Sequence, residues 1–565
     1  MSRVLSYPVR RPILFVSFFF VVLHLLYNPF FKDADNVYVF SGFYFDTEAS
    51  PHCMYGSYFL TYPLYWLHHL SDRICWYTAY MFLINYFSAC ALFNVLTYES
   101  RRTGKYNFQA LLGYVVLAQV LFHHTLQIHY GFYSFIAMGA GVLLVYAGCE
   151  HSIRKWVWSG YMLMLGGAFI RYDACIGMIP IIAALLLIVL LNRNTFPRYK
   201  KFLFLGISMI FVLLGIFSIQ QRLAVDTWRP DGNFIEENNI RVLLFDYPDR
   251  SGLDKKALYA DVGATEDDLV FITQGISAQP KKYSLNFLRN VAGVRKFDNP
   301  AYAVSFSSDY WRKMFITRFG MTLLIFGLFS FTRRSAINKL ILLAFVFSAL
   351  TVVYFKGRLI PSSQGAMCYG ALAMLAYFTA TPERGYLRKF LQHWGASIGL
   401  LAFLAIGGMY LTVHRNLFAP FTVASPVYRC LSAHDLLFEE LQQNSGQIYF
   451  TDPHVWKDLV LPNHIILNPK EYFRHSVYPV YSWATFLPSY RNRLAKMHAG
   501  NDVLSMLEPR VRIIDDGSLK WYMSLTEEYL RKEYNISAKW TREKTLEGVV
   551  TVYGTCHVFR LRRMD

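Results

Sequence analysis

The chain alternates long apolar blocks with short polar ones. Blocks at 13–31, 77–98, 108–124, 131–149, 156–170, 174–192, 201–219, 314–331, 336–354, 364–380 and 394–412 each approach the roughly 20 apolar residues that carry a helix across a bilayer. The pattern predicts a polytopic α-helical membrane protein of about eleven spans. Three segments break the rhythm: 32–76, 220–313 and 414–565. In 220–313, patterned stretches at Asp254–Ala260, Asp267–Thr273 and Tyr283–Lys296 predict two or three short helices over the membrane mouth. The last 150 or so residues read as a small α/β domain. Its predicted elements are a helix over His434–Gln443, strands at Gln447–Phe450, His464–Leu467 and Val511–Ile514, a helix over Ser518–Glu533, and a hairpin of Val549–Tyr553 with His557–Leu561. The division is therefore 1–413, transmembrane with outer loops 32–76 and 220–313, and 414–565.

Composition agrees. With 54% hydrophobic and 17% charged residues among 565, the chain lies outside the soluble range. The net charge of +18 is informative only once mapped. Counting from the N-terminal tail, the segments between alternate spans hold 18 cations, among them Arg101, Arg102, Arg154, Lys155, Lys200 and Lys201, against the three acids Glu99, Glu150 and Glu383. The opposite segments carry no net charge. The positive-inside rule then puts the N-terminus in the cytoplasm and the C-terminus outside, as an odd number of spans requires. A nucleic-acid partner is not expected, because the cations are not clustered on one folded face.

The first block, behind Arg3, Arg10 and Arg11, begins like a secretory signal. No small-residue cleavage site follows Leu25–Phe31, so it reads as an uncleaved span. Segments on the cytoplasmic side are roughly a dozen residues or fewer and no GxxxxGK[ST] sequence occurs, which speaks against ATP-driven transport and cytosolic nucleotide-sugar chemistry. Cys90, Cys149, Cys175 and Cys368 read as small apolar residues of spans. The pairs Cys53 with Cys75 and Cys430 with Cys556 lie where disulfides persist and are candidates for bridges.

The residues suited to chemistry gather beside predicted outer span ends. Asp33 and Asp35 follow the first span, with Tyr38 and His52 further along that loop. A partly desolvated carboxylate there is a better general base toward a hydroxyl than a hydrated one; the competing reading is a loop cap. Arg171-Tyr172-Asp173, Arg318, and Lys356-Gly357-Arg358 place cations at boundaries where positive-inside bias does not favour them. They suit an anionic phosphate ligand, although Arg171 with Asp173 also reads as a local ion pair. His123, His124 and His129 at the second outer turn read as span caps in preference to metal ligands, and Asp452, Asp515 and Asp516 as turn and cap residues in preference to ligands. Aromatic side chains around Tyr38–Phe45 are candidates for stacking on sugars.

This arrangement resembles the GT-C superfamily of integral-membrane glycosyltransferases. Asp35-Asn36-Val37-Tyr38, with Asp33 just ahead, is similar to the acidic motif after the family's first span. Tyr62-Pro63-Leu64-Tyr65-Trp66-Leu67 is similar to the entry of its loop helix, and Phe169-Ile170-Arg171-Tyr172-Asp173 and Gly357-Arg358-Leu359-Ile360-Pro361 to its basic boundary segments. Asn36 departs from the pattern, since an acid often stands there. The resemblance implies a hexosyl- or pentosyltransferase that moves a sugar, with inversion, from a polyprenyl-phosphate carrier to a glycan, lipid or protein acceptor at the outer face. Asp35 or Asp33 would be the catalytic base, and Arg171, Asp173, Arg318, Lys356, Arg358, Tyr38 and His52 would bind substrate. It requires no cofactor and leaves a divalent metal ion open as one. Membrane lipids are the other expected partners, and a plasma membrane, or alternatively the endoplasmic reticulum, the expected location. An outer-face polysaccharide polymerase or ligase leaves the acidic motif unexplained. A transporter or flippase of lipid-linked saccharides would carry its charges at mid-membrane.

Overall fold

The computed structural model describes residues 7–26, 30–31, 56–71, 73–125, 127–228, 236, 240, 243–244, 256–274, 282–297, 333–355, 361–379, 386–413, 436–437, 439–444, 446–453, 455, 477–480, 490, 494–498, 502–550 and 554–564. Helices occupy ten of the eleven apolar blocks; the block 314–331 lies outside the described residues. They are α1 (Pro12–Leu26), α3 (Trp76–Leu96), α4 (Phe108–Ala118), α5 (Tyr130–Glu150), α6 (Arg154–Ile170), α7 (Ala174–Leu191), α8 (Tyr199–Trp228), α12 (Arg333–Phe355), α13 (Pro361–Tyr377) and α14 (Tyr386–Val413). Before α3 comes α2 (Tyr58–Leu70). Among the described residues, five stretches are long and apolar enough to cross a membrane: α3, α5, α7, Tyr199–Gln220 of α8 and Lys389–Leu411 of α14. Pro12–Leu25, Phe108–Phe122 and Ala336–Val352 are shorter apolar helices.

Helix α5 is the centre of the bundle, buried along almost its whole length. In an apolar solvent, water does not drive helices together, so close packing of small residues must do so. On α5, Ser134, Gly141 and Gly148 recur every seventh position, as Gly160 and Gly167 do on α6. The two helices run antiparallel with these stripes in contact. A Cβ built on either Gly141 or Gly160 would lie 2.5 Å from the other's carbonyl oxygen. One turn-pair further along, a Cβ on Gly167 would lie 2.6 Å from the Ser134 carbonyl, and the Ser134 hydroxyl donates to the Gly167 carbonyl at 2.8 Å. Against α13, a Cβ on Gly139 would lie 2.8 Å from the Gly370 Cα. Phenylalanines Phe15, Phe19, Phe93, Phe122 and Phe403 close the bundle between α1, α3, α4 and α14 in edge and tilted contacts.

The bundle has two chemically different ends. At one, which includes Tyr98–Thr103 and the α5–α6 turn, Glu150 accepts the Tyr377 hydroxyl at 2.6 Å, while His151 stands 3.0 Å from that hydroxyl and 3.7 Å from Glu99. Glu99 also pairs with Arg102, and Asn192 donates to Asn338 at 3.1 Å. This end therefore holds the starts of α6 and α12, the ends of α5, α7 and α13, and with them Arg101, Arg102, Arg154, Lys155, Arg193 and Lys339. The ends of α6 and α12 and the starts of α5, α7 and α13 lie at the other.

The C-terminal region is an α/β unit. Strands β3 (Ile448–Thr451), β4 (Val477–Pro479), β5 (Val511–Asp515), β6 (Ala538–Val550) and β7 (Thr555–Arg563) form a sheet in the order β4-β3-β5-β7-β6. β3 is parallel to β4 and β5; β7 is antiparallel to β5 and β6. The expected strand at His464–Leu467 lies outside the described residues. The hairpin is far longer on its first strand than its apolar residues suggest, because β6 is an edge strand whose charges are paired: Glu543 faces Arg512, Arg560 and Arg562. Asp515 and Asp516 serve the turn into α15 (Lys520–Tyr534), accepting from the Leu519 N–H at 2.8 Å and the Ser518 N–H at 3.1 Å. Burial nevertheless raises the Asp515 carboxyl above its ordinary range. Buried Cys75 carries a free thiol, 3.1 Å from the Thr78 hydroxyl; Cys53 and Cys430, members of the two candidate bridges, lie outside the described residues.

Three helices of the long loop, α9 (Lys256–Asp261), α10 (Glu266–Gln274) and α11 (Leu285–Phe297), occupy the expected stretches. Of these, α10 meets the C-terminal unit, mainly around one buried carboxylate. Asp268, fully buried, accepts from the Thr265 N–H (2.8 Å), the Lys282 ammonium (2.7 Å) and the hydroxyls of Tyr283 (2.9 Å) and Tyr529 (3.1 Å), the last from α15. Phe271 packs on Tyr529, and Asp267 pairs with Lys532.

Gly160→Val, which drives a side chain into the Gly141 carbonyl, costs about 1–3 kcal/mol or more and lowers the melting temperature in detergent. Gly408→Ala is neutral or stabilising, since a Cβ there meets nothing within 4 Å. Burial pushes the Asp268 carboxyl up, but hydrogen bonds from Lys282, Thr265 and Tyr283 outweigh it and hold the group below its ordinary value. Its stabilisation is thus complete above its unfolded pKa of about 3.9 and lost as pH falls through the lower folded value. Asp268→Ala, which strands Lys282, costs about 3 kcal/mol at neutral pH. Protection of the amides of residues 256–274 and 282–297 from hydrogen exchange, taken relative to the intrinsic rate at each pH, should fall on this substitution, and in the wild type only in acid.

Candidate functional site

Of the residues singled out from the sequence, Arg171 and Asp173 are described; Asp33, Asp35, Tyr38, His52, Arg318, Lys356 and Arg358 lie outside the described residues. Arg171 follows the last residue of α6, where the helix gives way to extended backbone. The α5–α6 register places it against the first residue of α5, its guanidinium carbon 5.1 Å from the centre of the Tyr130 ring. Asp173 grips it with two bonds, Nε to Oδ1 at 2.6 Å and Nη2 to Oδ2 at 2.9 Å. The local ion pair anticipated from the sequence is therefore formed, and it holds the fork in one plane. Gly131 has no side chain where Arg171 passes: a Cβ there would lie 3.0 Å from Nη1.

His129 supplies the cap of α5. Its Nδ1 accepts from the Gly131 and Phe132 N–H groups at 3.1 and 3.3 Å, and its ring stacks on Tyr130 with an interplanar angle of 7°. That nitrogen is committed to the helix, as the capping reading expects. Among the described residues, no group of three or more His, Cys, Asp or Glu side chains is gathered to hold a metal ion.

Two features bring other elements to this end. Past α4 the helix widens into a π turn, Gln119–His124, closed by Thr125, whose hydroxyl receives the Asn85 amide of α3 at 2.9 Å. The chain then forms β2 (Gln127–Ile128), parallel to β1 (Phe30–Phe31), with Phe30 opposite Gln127 and Phe31 opposite Ile128. β1 immediately precedes the acidic segment and β2 immediately precedes His129 and Tyr130. Also at this end, Phe355 ends α12 and Pro361 starts α13, so the helices flanking Lys356 and Arg358 open toward the Arg171 end of the bundle.

Sequence reasoning overlooked Gln220. It is 1% exposed near the end of the apolar run of α8, and its Oε1 accepts from the Tyr58 N–H at 2.8 Å and the Ser57 hydroxyl at 3.3 Å. The Ser57 N–H donates to the Phe169 carbonyl at 2.9 Å, two residues before Arg171. The start of α2 is thereby fixed to α6 and α8 beside the arginine. A lone amide closing an apolar run was the available signal. Gln220→Leu leaves the Ser57 and Tyr58 donors without their acceptor and costs about 1–3 kcal/mol; a thermal melt in detergent checks this, and an unchanged midpoint contradicts it.

The chain matches no model of a known protein family, no curated protein and no solved structure.

Proposed function

We propose that the chain is a multi-pass membrane glycosyltransferase of GT-C type, with eleven spans, its N-terminus in the cytoplasm and its C-terminal unit outside. It transfers a sugar from a polyprenyl-phosphate carrier to a hydroxyl acceptor at the outer face. The observation that carries the reading is convergence at one end of the bundle. Arg171 stands there, β1 delivers the chain there just before Asp33 and Asp35, and the helix ends that flank Lys356 and Arg358 open there. Covalent geometry limits Asp33 to about 7 Å, and Asp35 to about 14 Å, from Phe31 measured between Cα atoms. The cations at the opposite end support a cytoplasmic assignment for that side.

Asp35, or Asp33, takes the proton of the acceptor hydroxyl as its oxygen attacks the anomeric carbon from the face opposite the lipid phosphate, so the configuration inverts. The departing phosphate is already an anion, and Lys356 and Arg358 stabilise the charge that accumulates on it. Asp173 offsets most of the Arg171 charge and fixes the guanidinium in one orientation at that end. The C-terminal unit and the helices docked on it cover the acceptor side.

Asp35→Asn should leave membrane expression unchanged and abolish transfer from a polyprenyl-phosphate sugar, read by loss of labelled donor lipid. Full activity in both Asp33→Asn and Asp35→Asn would refute the assigned base.

A further inference from the structure

Helix α2 has a surface of the wrong polarity for a helix facing water. Tyr58, Leu60, Thr61, Leu64 and His68 are buried against the bundle. The opposite stripe, at helical spacing, is Phe59, Tyr62, Trp66 and Leu70, of which Trp66 is 66% and Leu70 82% exposed. No Asp, Glu, Lys or Arg occurs in its thirteen residues. A water-facing helix would carry them on that side, and a contiguous exposed apolar face marks a surface that something covers.

The hydrogen bonds at its two ends say what covers it. At the start, the Tyr58 N–H is bonded to Gln220, the last residue of the membrane-length stretch of α8. At the finish, the carbonyl of its capping residue Ser71 accepts from the indole N–H of Trp76, the first residue of the membrane-length helix α3, at 3.0 Å. Both ends of α2 are thus held level with the ends of membrane-length helices. A thirteen-residue helix is about 20 Å long, too short to cross a hydrocarbon core of about 30 Å. Tethered at both ends to that level, it lies along the rim. Tryptophan and tyrosine beside leucine and phenylalanine are the composition of the boundary between headgroups and acyl chains.

We propose that α2 is an interfacial helix whose Phe59, Tyr62, Trp66 and Leu70 face is seated in the lipid of the leaflet at the Arg171 end. Through Ser57, bonded to Gln220 and Phe169, it sets the depth at which the arginine stands. Thr61 and His68 stand on the buried side with Tyr58, Leu60 and Leu64, and exposed His69 lies beside Trp66. The inference rests on the membrane reading and not on sugar transfer.

The test is tryptophan quenching in lipid nanodiscs, comparing the wild type with Trp66→Phe. Lipids brominated near the headgroup end of the acyl chains quench from within the bilayer, and iodide quenches from water. The Trp66 contribution, obtained as the difference between the two proteins, is expected to be lost on brominated lipid and insensitive to iodide. Quenching by iodide alone would place the face in water. Quenching by neither would mean that protein covers it, a second copy included, and both results overturn the proposal. A chain that does not enter nanodiscs would remove the membrane reading along with it.

Discussion

The close approach of α5 and α6 at Gly141 and Gly160 sets the register on which the rest of the bundle depends. Two helices that touch through backbone cannot slide without driving a side chain into a carbonyl, so their ends are fixed as firmly as their middle. Ser134 opposite Gly167 continues the same register, and its next step brings Tyr130 and Arg171 together. At the far end it delivers Glu150 and His151 to Tyr377. A contact made of absent side chains thereby positions the charged ones.

The two ends so created differ in kind. At one, arginines and lysines of short connections surround two acids tied into hydrogen-bond and ion-pair networks. At the other, a cation at a helix end is held by a neighbouring carboxylate, and the chain segments on either side of it are locked by backbone and amide bonds, β1 to β2 and Ser57 to Phe169 and Gln220. Under the proposed orientation, positive-inside bias accounts for the charge at the first end. It does not account for Arg171, which is paired locally with Asp173, and that makes the second end the candidate for chemistry. The Asp268 network joins α10 and the residues leading into α11 to Tyr529 of the C-terminal unit.

Much of this was legible in the sequence because hydropathy reports solvent directly. Apolar runs marked ten of the helices, most of them to within a few residues, although α8 runs well past its block and α14 begins well before its own, and the loop helices followed their patterned stretches. Arg171 and Asp173 stood out because a charge interrupting apolar residues is costly. What stayed hidden depends on pairing, which a linear pattern does not carry. Glycines on α5 and α6 looked like ordinary members of apolar runs, and only their mutual seven-residue spacing gives the register away. Gln220 was passed over because a single amide at the end of a run resembles any boundary residue until its two donors are known. Strand β6 was anticipated only at its end, since its charged residues give no apolar alternation; Glu543 is paired with Arg512, Arg560 and Arg562 across the sheet.

The central claim is that the Arg171 end of the bundle holds a lipid phosphate. Native mass spectrometry of the protein taken directly from its membranes tests this most directly. The wild type should carry an adduct with the mass of a polyprenyl phosphate or its sugar-loaded form, retained in Asp35→Asn and depleted in Arg358→Ala. Absence of any such lipid from the wild type and Asp35→Asn, or an adduct indifferent to Arg358, would overturn the proposal.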